Sequence, residues 1–268
     1  MSFIESGDGT RLFYKDWGTG KPVVFVAGWS VASDMWEYQL VPLAKQGLRC
    51  IAYDRRGHGR SDQPARGYDF DTLADDLSAV MERLDLRDVT LVGHSMGCGE
   101  IVRYLSRHGS RRVKRIALLG PTMPFLLKTA DNPDGVEPAA FEAVRTAMLQ
   151  DRPKWLWDNA DPFFVADTSQ PMKAWIISLA LQSSLLAWIE CNIANVTADF
   201  RRELREVGVP ALVIHGDADV SAPIDLTGRR TAQLIVGCRL EVYAGAPHGF
   251  FVTHRERLNR DLLEFARG

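Results

Sequence analysis

Cysteine is scarce in this chain and poorly placed for cooperation. The four cysteines, Cys50, Cys98, Cys191 and Cys238, lie far apart, with no C-x-x-C pair and no histidine at zinc-finger spacing. Neither a disulfide framework nor a metal site is expected from them. Net charge is nearly absent too: 32 Lys and Arg against 34 Asp and Glu leave −2 at pH 7. That balance gives no electrostatic reason to expect nucleic acid as a partner. The dense basic run Arg111-Arg112-Val113-Lys114-Arg115 reads as a solvated loop leading into a strand. The opening residues, MSFIESGDGTRLFY, lack the basic start and continuous apolar core of a signal peptide, so a reducing cytoplasm is the expected compartment.

Long apolar runs are missing as well. The stretch AWIISLALQSSLLAWI, residues 174–189, is interrupted at Gln182-Ser183-Ser184 and falls short of the ~20 residues that a bilayer core requires. No membrane span is expected. Apolar on nearly every side, the stretch reads as a buried helix or helix pair, with a substrate-lining or subunit-contact role as the alternative, and a homo-oligomer stays open. No internal repeat or low-complexity tract is visible.

What is present is alternation. Residues 10–17 (TRLFYKDW) and 22–27 (PVVFVA) predict strands bounded by glycine-rich turns, the second of the continuous apolar type found inside a sheet. SDMWEYQLVPLAKQG then places Trp36, Leu40 and Leu43 at helical spacing and stops at Gly47. RCIAYD returns to strand. A helix starting near Asp71-Thr72, with Thr72 and Asp75 as a cap pair, stacks Leu73, Leu77, Val80 and Leu84 on one face. DVTLVG (88–93), RIALLG (115–120), PALVIHG (210–216) and RLEVYAG (239–245) are further strands, each ending in glycine, and the last helix packs Leu258, Leu262 and Phe265.

Strands alternating with helices imply a mostly parallel sheet covered on both faces. The alternation breaks only between residues 121 and 205, where Phe125, Phe163, Phe164, Trp155, Trp157, Trp175 and Trp188 gather among Pro-punctuated helical pieces. This region reads as a helical cap inserted after the sixth strand, with residues 1–120 and 206–268 forming the core.

The segment TLVGHSMGCGEIV holds the pattern Gly93-His94-Ser95-Met96-Gly97 between the DVTLVG strand and a helix whose face carries Ile101, Val102 and Leu105. G-x-S-x-G proves little alone, but strand, tight turn and helix are the context in which it presents a nucleophilic serine. A serine hydroxyl needs a base to take its proton and a third group to hold that base in the right tautomer. His248, in AGAPHGF, and Asp219, in HGDADVSAP, each follow the end of a later strand. Ligand sites of parallel sheets form at those carboxyl ends, so all three residues converge on one edge. The order Ser…Asp…His belongs to the α/β-hydrolases. The oxyanion donors expected are the backbone N–H of Met96, at a helix N-terminus, and that of Trp29, in the loop after PVVFVA.

KDWGTGKPVVFVAGWS, SDMWEYQ, AYDRRGHGRSDQP, LVGHSMG, LVIHGDAD and APHGF together resemble the cofactor-free bacterial haloperoxidase, or aryl esterase and perhydrolase, branch of the α/β-hydrolases. The match runs over nearly the whole chain and is weakest in the cap. The resemblance implies an α/β-hydrolase fold with a mostly parallel eight-stranded sheet, flanking helices and an inserted cap. It implies Ser95, Asp219 and His248 as a triad, Trp29 and Met96 as oxyanion donors, no cofactor and no metal. The implied activity is that of a carboxylesterase or lactonase on small-molecule aryl or alkyl esters, with perhydrolase or haloperoxidase chemistry on the side. Three positions depart from the usual pattern: Ala27 stands where relatives usually carry His, Ser30 where perhydrolase-like members often have Pro, and Cys98 where many have Gly.

A cap over the site would roof the substrate cavity, which makes Met123, Phe125, Phe163, Phe164, Trp188, Ile224 and Phe250, with the Trp29 indole, candidates for its lining and favours a small or medium apolar acyl or aryl group. His58, His94 and His215 read as structural, Asp217 as a turn residue beside Asp219, and Cys98 as a small buried side chain. The same elbow also hosts C–C bond hydrolases, cofactor-free lyases and oxygenases, and slow-turnover ligand receptors, which are the alternative functions.

Overall fold

The apolar runs between glycine turns become strands in the computed structural model, which describes residues 2–165 and 167–268. They are β1 (Ser2–Glu5), β2 (Arg11–Trp17), β3 (Lys21–Val26), β4 (Leu48–Tyr53), β5 (Val89–His94), β6 (Val113–Leu119), β7 (Ala211–Gly216) and β8 (Arg239–Tyr243). They form one eight-stranded sheet in the order β1-β2-β4-β3-β5-β6-β7-β8. β1–β2 and β2–β4 pair antiparallel, and every later pairing is parallel. β1 has no sequence signature of its own, because only Ile4 of its four residues is buried and no period can be read from one side chain.

Helices cover both faces. A 3₁₀ turn (Ser33–Trp36) leads into α1 (Glu37–Lys45); α2 (Phe70–Arg83) and α3 (Met96–His108) follow. After β7 come α9 (Gly228–Leu234), α10 (Phe250–Thr253) and α11 (Arg255–Arg267). α2 starts earlier than its sequence predicts: Asp69 caps it, accepting the Thr72 N–H at 2.9 Å, so the Thr72–Asp75 cap pair does not form. The reason is that Phe70 is buried. It extends the apolar face by half a turn, and the Asp69 carboxylate then reaches the free N–H groups first.

Between β6 and β7 run α4 (Pro138–Asp158), α5 (Ala160–Phe163), α6 (Gln170–Leu181), α7 (Leu185–Thr197) and α8 (Arg201–Arg205). α4 is broken at Asp151 (φ −157°, ψ 83°) ahead of Pro153, where the Asp151 carboxylate re-caps the chain by accepting the Lys154 N–H at 2.9 Å. The apolar stretch 174–189 resolves into α6 and α7, bent by 93° at the Gln182–Ser184 break. Among the described residues, no single helix is long and apolar enough to cross a membrane. Among the described residues, the buried side chains of these helices join the two clusters of the sheet. Met148, Phe164, Ile176, Leu179 and Trp188 pack into the cluster that holds Phe25, Trp36, Val92 and Leu119 of the sheet side, and Ala187 and Cys191 join the cluster on the opposite face.

Candidate active site

Ser95 occupies the turn between the end of β5 and the start of α3, with φ 54° and ψ −121°. Such backbone costs of order 1–3 kcal/mol and persists only where the surroundings impose it. They do so here. The Ser95 N–H donates to the Leu119 carbonyl at 2.8 Å, and both flanking glycines are sterically obligatory. A Cβ on Gly93 would stand 2.8 Å from the Gly97 carbonyl, and one on Gly97 2.6 Å from the Val26 carbonyl oxygen. Strand, turn and helix thus close on each other too tightly for any side chain at either position.

Asp219 follows β7 and His248 follows β8. The His248 Nδ1 stands 2.6 Å from Asp219 Oδ2. With Nδ1–H donating to the carboxylate, Nε2 is left as the acceptor, the arrangement a general base needs. Asp219 also accepts the Ala222 N–H at 2.8 Å, and His215 Nε2, paired with the Ala222 carbonyl at 2.8 Å, stands 3.2 Å from Asp219 Oδ2. Burial alone would raise this carboxyl, but the His248 charge, the two ring N–H groups and the backbone N–H outweigh it and hold it well below the usual carboxylate range. Asp217, two residues earlier, instead accepts the Gly245 N–H at 2.6 Å and braces the turn. Among the described residues, the Ser95 hydroxyl has no hydrogen-bond partner, which leaves it free to pair with a base when substrate enters.

The Met96 and Trp29 N–H groups also have no acceptor among the described residues. Met96 opens α3, so its N–H points out of the positive end of a 13-residue helix. The Trp29 loop lies directly against the elbow: a Cβ on Gly28 would be 3.5 Å from the Ser95 Cβ and 2.7 Å from His94 Nδ1. Ser30 has φ 73°, a conformation that proline, fixed near −65°, cannot take.

The α6–α7 segment is stapled to this loop and to the one that follows β4. Ser183 Oγ donates to the Ser30 carbonyl at 2.7 Å, the Trp29 indole N–H to the Trp188 carbonyl at 2.9 Å, and the Ser184 N–H to the Gly57 carbonyl at 2.8 Å. Trp29, Trp155 and Trp188 meet in edge-on and tilted pairs with ring centroids 4.8 to 6.1 Å apart. Neither Trp155 nor the serine pair stands out in the sequence, because only the fold brings them to the loop. Of the proposed lining, Phe163 has its ring 5.4 Å from His248, with Phe164 packed on it at 4.9 Å. Trp188 reaches the site through Trp29. Met123 and Ile224 are buried, the former with its carbonyl accepting from Thr231 Oγ1 at 2.9 Å. Phe125 lies under the Arg201 guanidinium at 5.2 Å. Phe250 is fully buried against Tyr243 and His94. A Cβ on Gly120 would lie 3.4 Å from both the Phe250 ring and His248 Nδ1, so both side chains approach the backbone of Gly120.

His94 and His58 are buried, and burial first, then a neighbouring positive group, lowers each to about 3. His94 Nε2 pairs with the His248 carbonyl at 3.0 Å, tying the elbow to the histidine loop. His58 Nδ1 pairs with the Arg56 carbonyl at 2.8 Å. Cys98 is buried with Sγ 3.2 Å from the Gly93 carbonyl, and burial pushes its thiol far up. Among the described residues, no group of three His, Cys, Asp or Glu is placed to hold a metal ion. A groove of about 770 Å³ between α1, α6 and α11, lined by Tyr38, Val41, Met172 and Trp175, includes none of the triad.

The alpha/beta hydrolase fold family matches residues 21–255. The chain is 43% identical over 272 residues to a non-heme chloroperoxidase of Kitasatospora aureofaciens, covering 99% of each chain. It is 35% identical over 275 residues to a bifunctional esterase/perhydrolase of Acinetobacter calcoaceticus, covering both chains fully. An esterase from Exiguobacterium antarcticum superimposes with a TM-score of 0.96 at 34% identity, over 100% of this chain and 99% of that one.

Proposed function

The chain belongs to the α/β-hydrolase family, and from that premise we propose that it is a serine hydrolase of the carboxylesterase or lactonase type, acting on small to medium apolar or aryl esters through Ser95, His248 and Asp219. The observation that carries this reading is the 2.6 Å Asp219–His248 pair, shut away from water at the sheet edge where the strained Ser95 turn stands.

In this mechanism His248 Nε2 takes the Ser95 proton as Oγ attacks the ester carbonyl. Asp219 keeps the ring in the Nδ1–H tautomer and stabilises the imidazolium that forms. The carbonyl oxygen becomes an oxyanion between the Met96 and Trp29 N–H groups, which have no acceptor among the described residues. His248 then protonates the leaving alkoxide, the alcohol departs, and water activated by the same ring cleaves the acyl-enzyme. Hydrogen peroxide in place of water would release a peracid from the same intermediate, and a peracid oxidises halide. That route accounts for a haloperoxidase side activity, in keeping with the chloroperoxidase and perhydrolase names of the relatives. The aromatic groups around the loop, Trp29, Trp155, Trp188 and Phe163, favour an apolar acyl or aryl group over a charged one.

The test is the initial rate of p-nitrophenyl acetate hydrolysis near pH 7.5 for the wild type and Ser95→Ala. The expected result is sustained turnover by the wild type and a loss of several orders of magnitude in the variant. Equal rates would refute the acyl-enzyme, and at most one turnover per molecule would favour a receptor.

A further inference from the structure

Among the buried side chains that the proposed mechanism leaves unused, Arg55 has an unusual set of partners. It lies two residues past the end of β4 and is 2% exposed. Its guanidinium faces two ways. On one side, Nε donates to Glu100 Oε1 at 2.7 Å, and Nη2 donates to the same oxygen. On the other, Nη2 donates to the Ala27 carbonyl at 2.6 Å and Nη1 to the Gly28 carbonyl at 3.1 Å. Glu100 is fully buried and accepts from Tyr53 Oη at 3.2 Å. It stands on α3, the helix that Met96 opens.

The Gly28 carbonyl and the Trp29 N–H belong to one peptide unit. In a trans peptide the two point in opposite directions within a rigid plane. A donor that holds the carbonyl therefore sets the direction of the N–H. The plane cannot escape toward the elbow, since even a Cβ at Gly28 would meet His94 Nδ1 at 2.7 Å. Ala27 supplies no polar side chain to the loop, so two of its successive carbonyls are held instead by one guanidinium.

We propose that Arg55, anchored by Glu100, is the positioning residue of the oxyanion site: it fixes the Gly28–Trp29 peptide so that the Trp29 N–H faces Ser95, and ties that peptide to the helix carrying the Met96 N–H. The pair makes the two donors one rigid unit. This rests on the Ser95 acyl-enzyme reading, and it adds a requirement on the transition state that substrate binding does not share.

The test compares the wild type with Arg55→Lys, Arg55→Met and Glu100→Gln. Active sites are first counted with a p-nitrophenyl phosphonate that releases one chromophore per reactive serine, so that unfolded molecules drop out. p-Nitrophenyl acetate kinetics and the inhibition constant of phenylboronic acid, whose tetrahedral adduct places an oxygen where the oxyanion forms, are then measured per counted site. For Arg55→Met, kcat should fall on the order of 10- to 100-fold with KM changed little. Boronate affinity should fall in parallel, and Arg55→Lys should recover part of both. If Arg55→Met yields no countable sites, Arg55→Lys and Glu100→Gln carry the same comparison with smaller losses. Unchanged kcat and boronate affinity per site in the variants would overturn the role of Arg55 while leaving Ser95 standing, as would a rise in KM alone. Turnover that survives Ser95→Ala would remove the underlying reading instead.

Discussion

The Asp219 carboxylate is held by the His248 ring and the Ala222 N–H, with His215 Nε2 3.2 Å away, in a buried site. Replacing it with an amide should keep the shape and lose the tautomer control. Asp219→Asn is expected to lower kcat on the order of 10³- to 10⁴-fold, read by p-nitrophenyl acetate turnover, with thermal stability reported alongside to separate chemistry from folding. The structural histidines give a second residue-scale prediction. His58 and His94 stay neutral in the fold down to about 3, against an ordinary value of 6.5. Between those limits the unfolded chain binds more protons, so stability is full above pH 6.5 and falls as pH drops. Each contributes a slope of up to about 1.4 kcal/mol per pH unit. Urea unfolding from pH 7 to pH 4.5 should show this, with a shallower slope in His58→Asn. Identical slopes would mean that His58 is charged in the fold.

At the scale of elements, the junction of β5 with α3 is where sequence and backbone are most tightly bound to each other. The Gly97 Cα lies so close to the β3 strand end that an added methyl would sit 2.6 and 2.7 Å from the Val26 and Ala27 carbonyl oxygens. Backbone cannot yield as a flexible side chain would. Gly97→Ala should therefore destabilise the fold by at least about 1–3 kcal/mol, seen as a lower urea midpoint, and displace the oxyanion loop, seen as a loss of kcat per counted site. The cap latch is gentler. Trp29→Phe preserves the backbone N–H but deletes the indole donor to the Trp188 carbonyl. A cost of about 1 kcal/mol in thermal stability is expected, with kcat less affected than by Arg55→Met.

On the scale of the whole molecule, the described residues of the helices between β6 and β7 share both clusters of the sheet. We therefore expect the region 121–205 to unfold with the core. Calorimetry should give one transition whose van't Hoff and calorimetric enthalpies agree, and residues 121–205 expressed alone should not fold. Two resolved transitions would mean that the cap is a separate cooperative unit.

Sequence alone determined the parallel core, the elbow and the identity of the three polar residues beyond strand ends, because each of these is a local pattern. Apolar runs ending in glycine encode strands, and G-x-S-x-G encodes its turn through sterics that act within five residues. It did not reveal β1, whose single buried side chain carries no period, nor the start of α2, which depends on where Phe70 finds its core. Other features belonged to the tertiary structure. Ser183 of the α6–α7 break fastened to the Ser30 carbonyl of the Trp29 loop, and Arg55 came to hold the Ala27 and Gly28 carbonyls. These contacts join residues between 27 and 153 positions apart, and no local pattern specifies them. Only the closing of the sheet and the docking of the cap decide which distant groups meet.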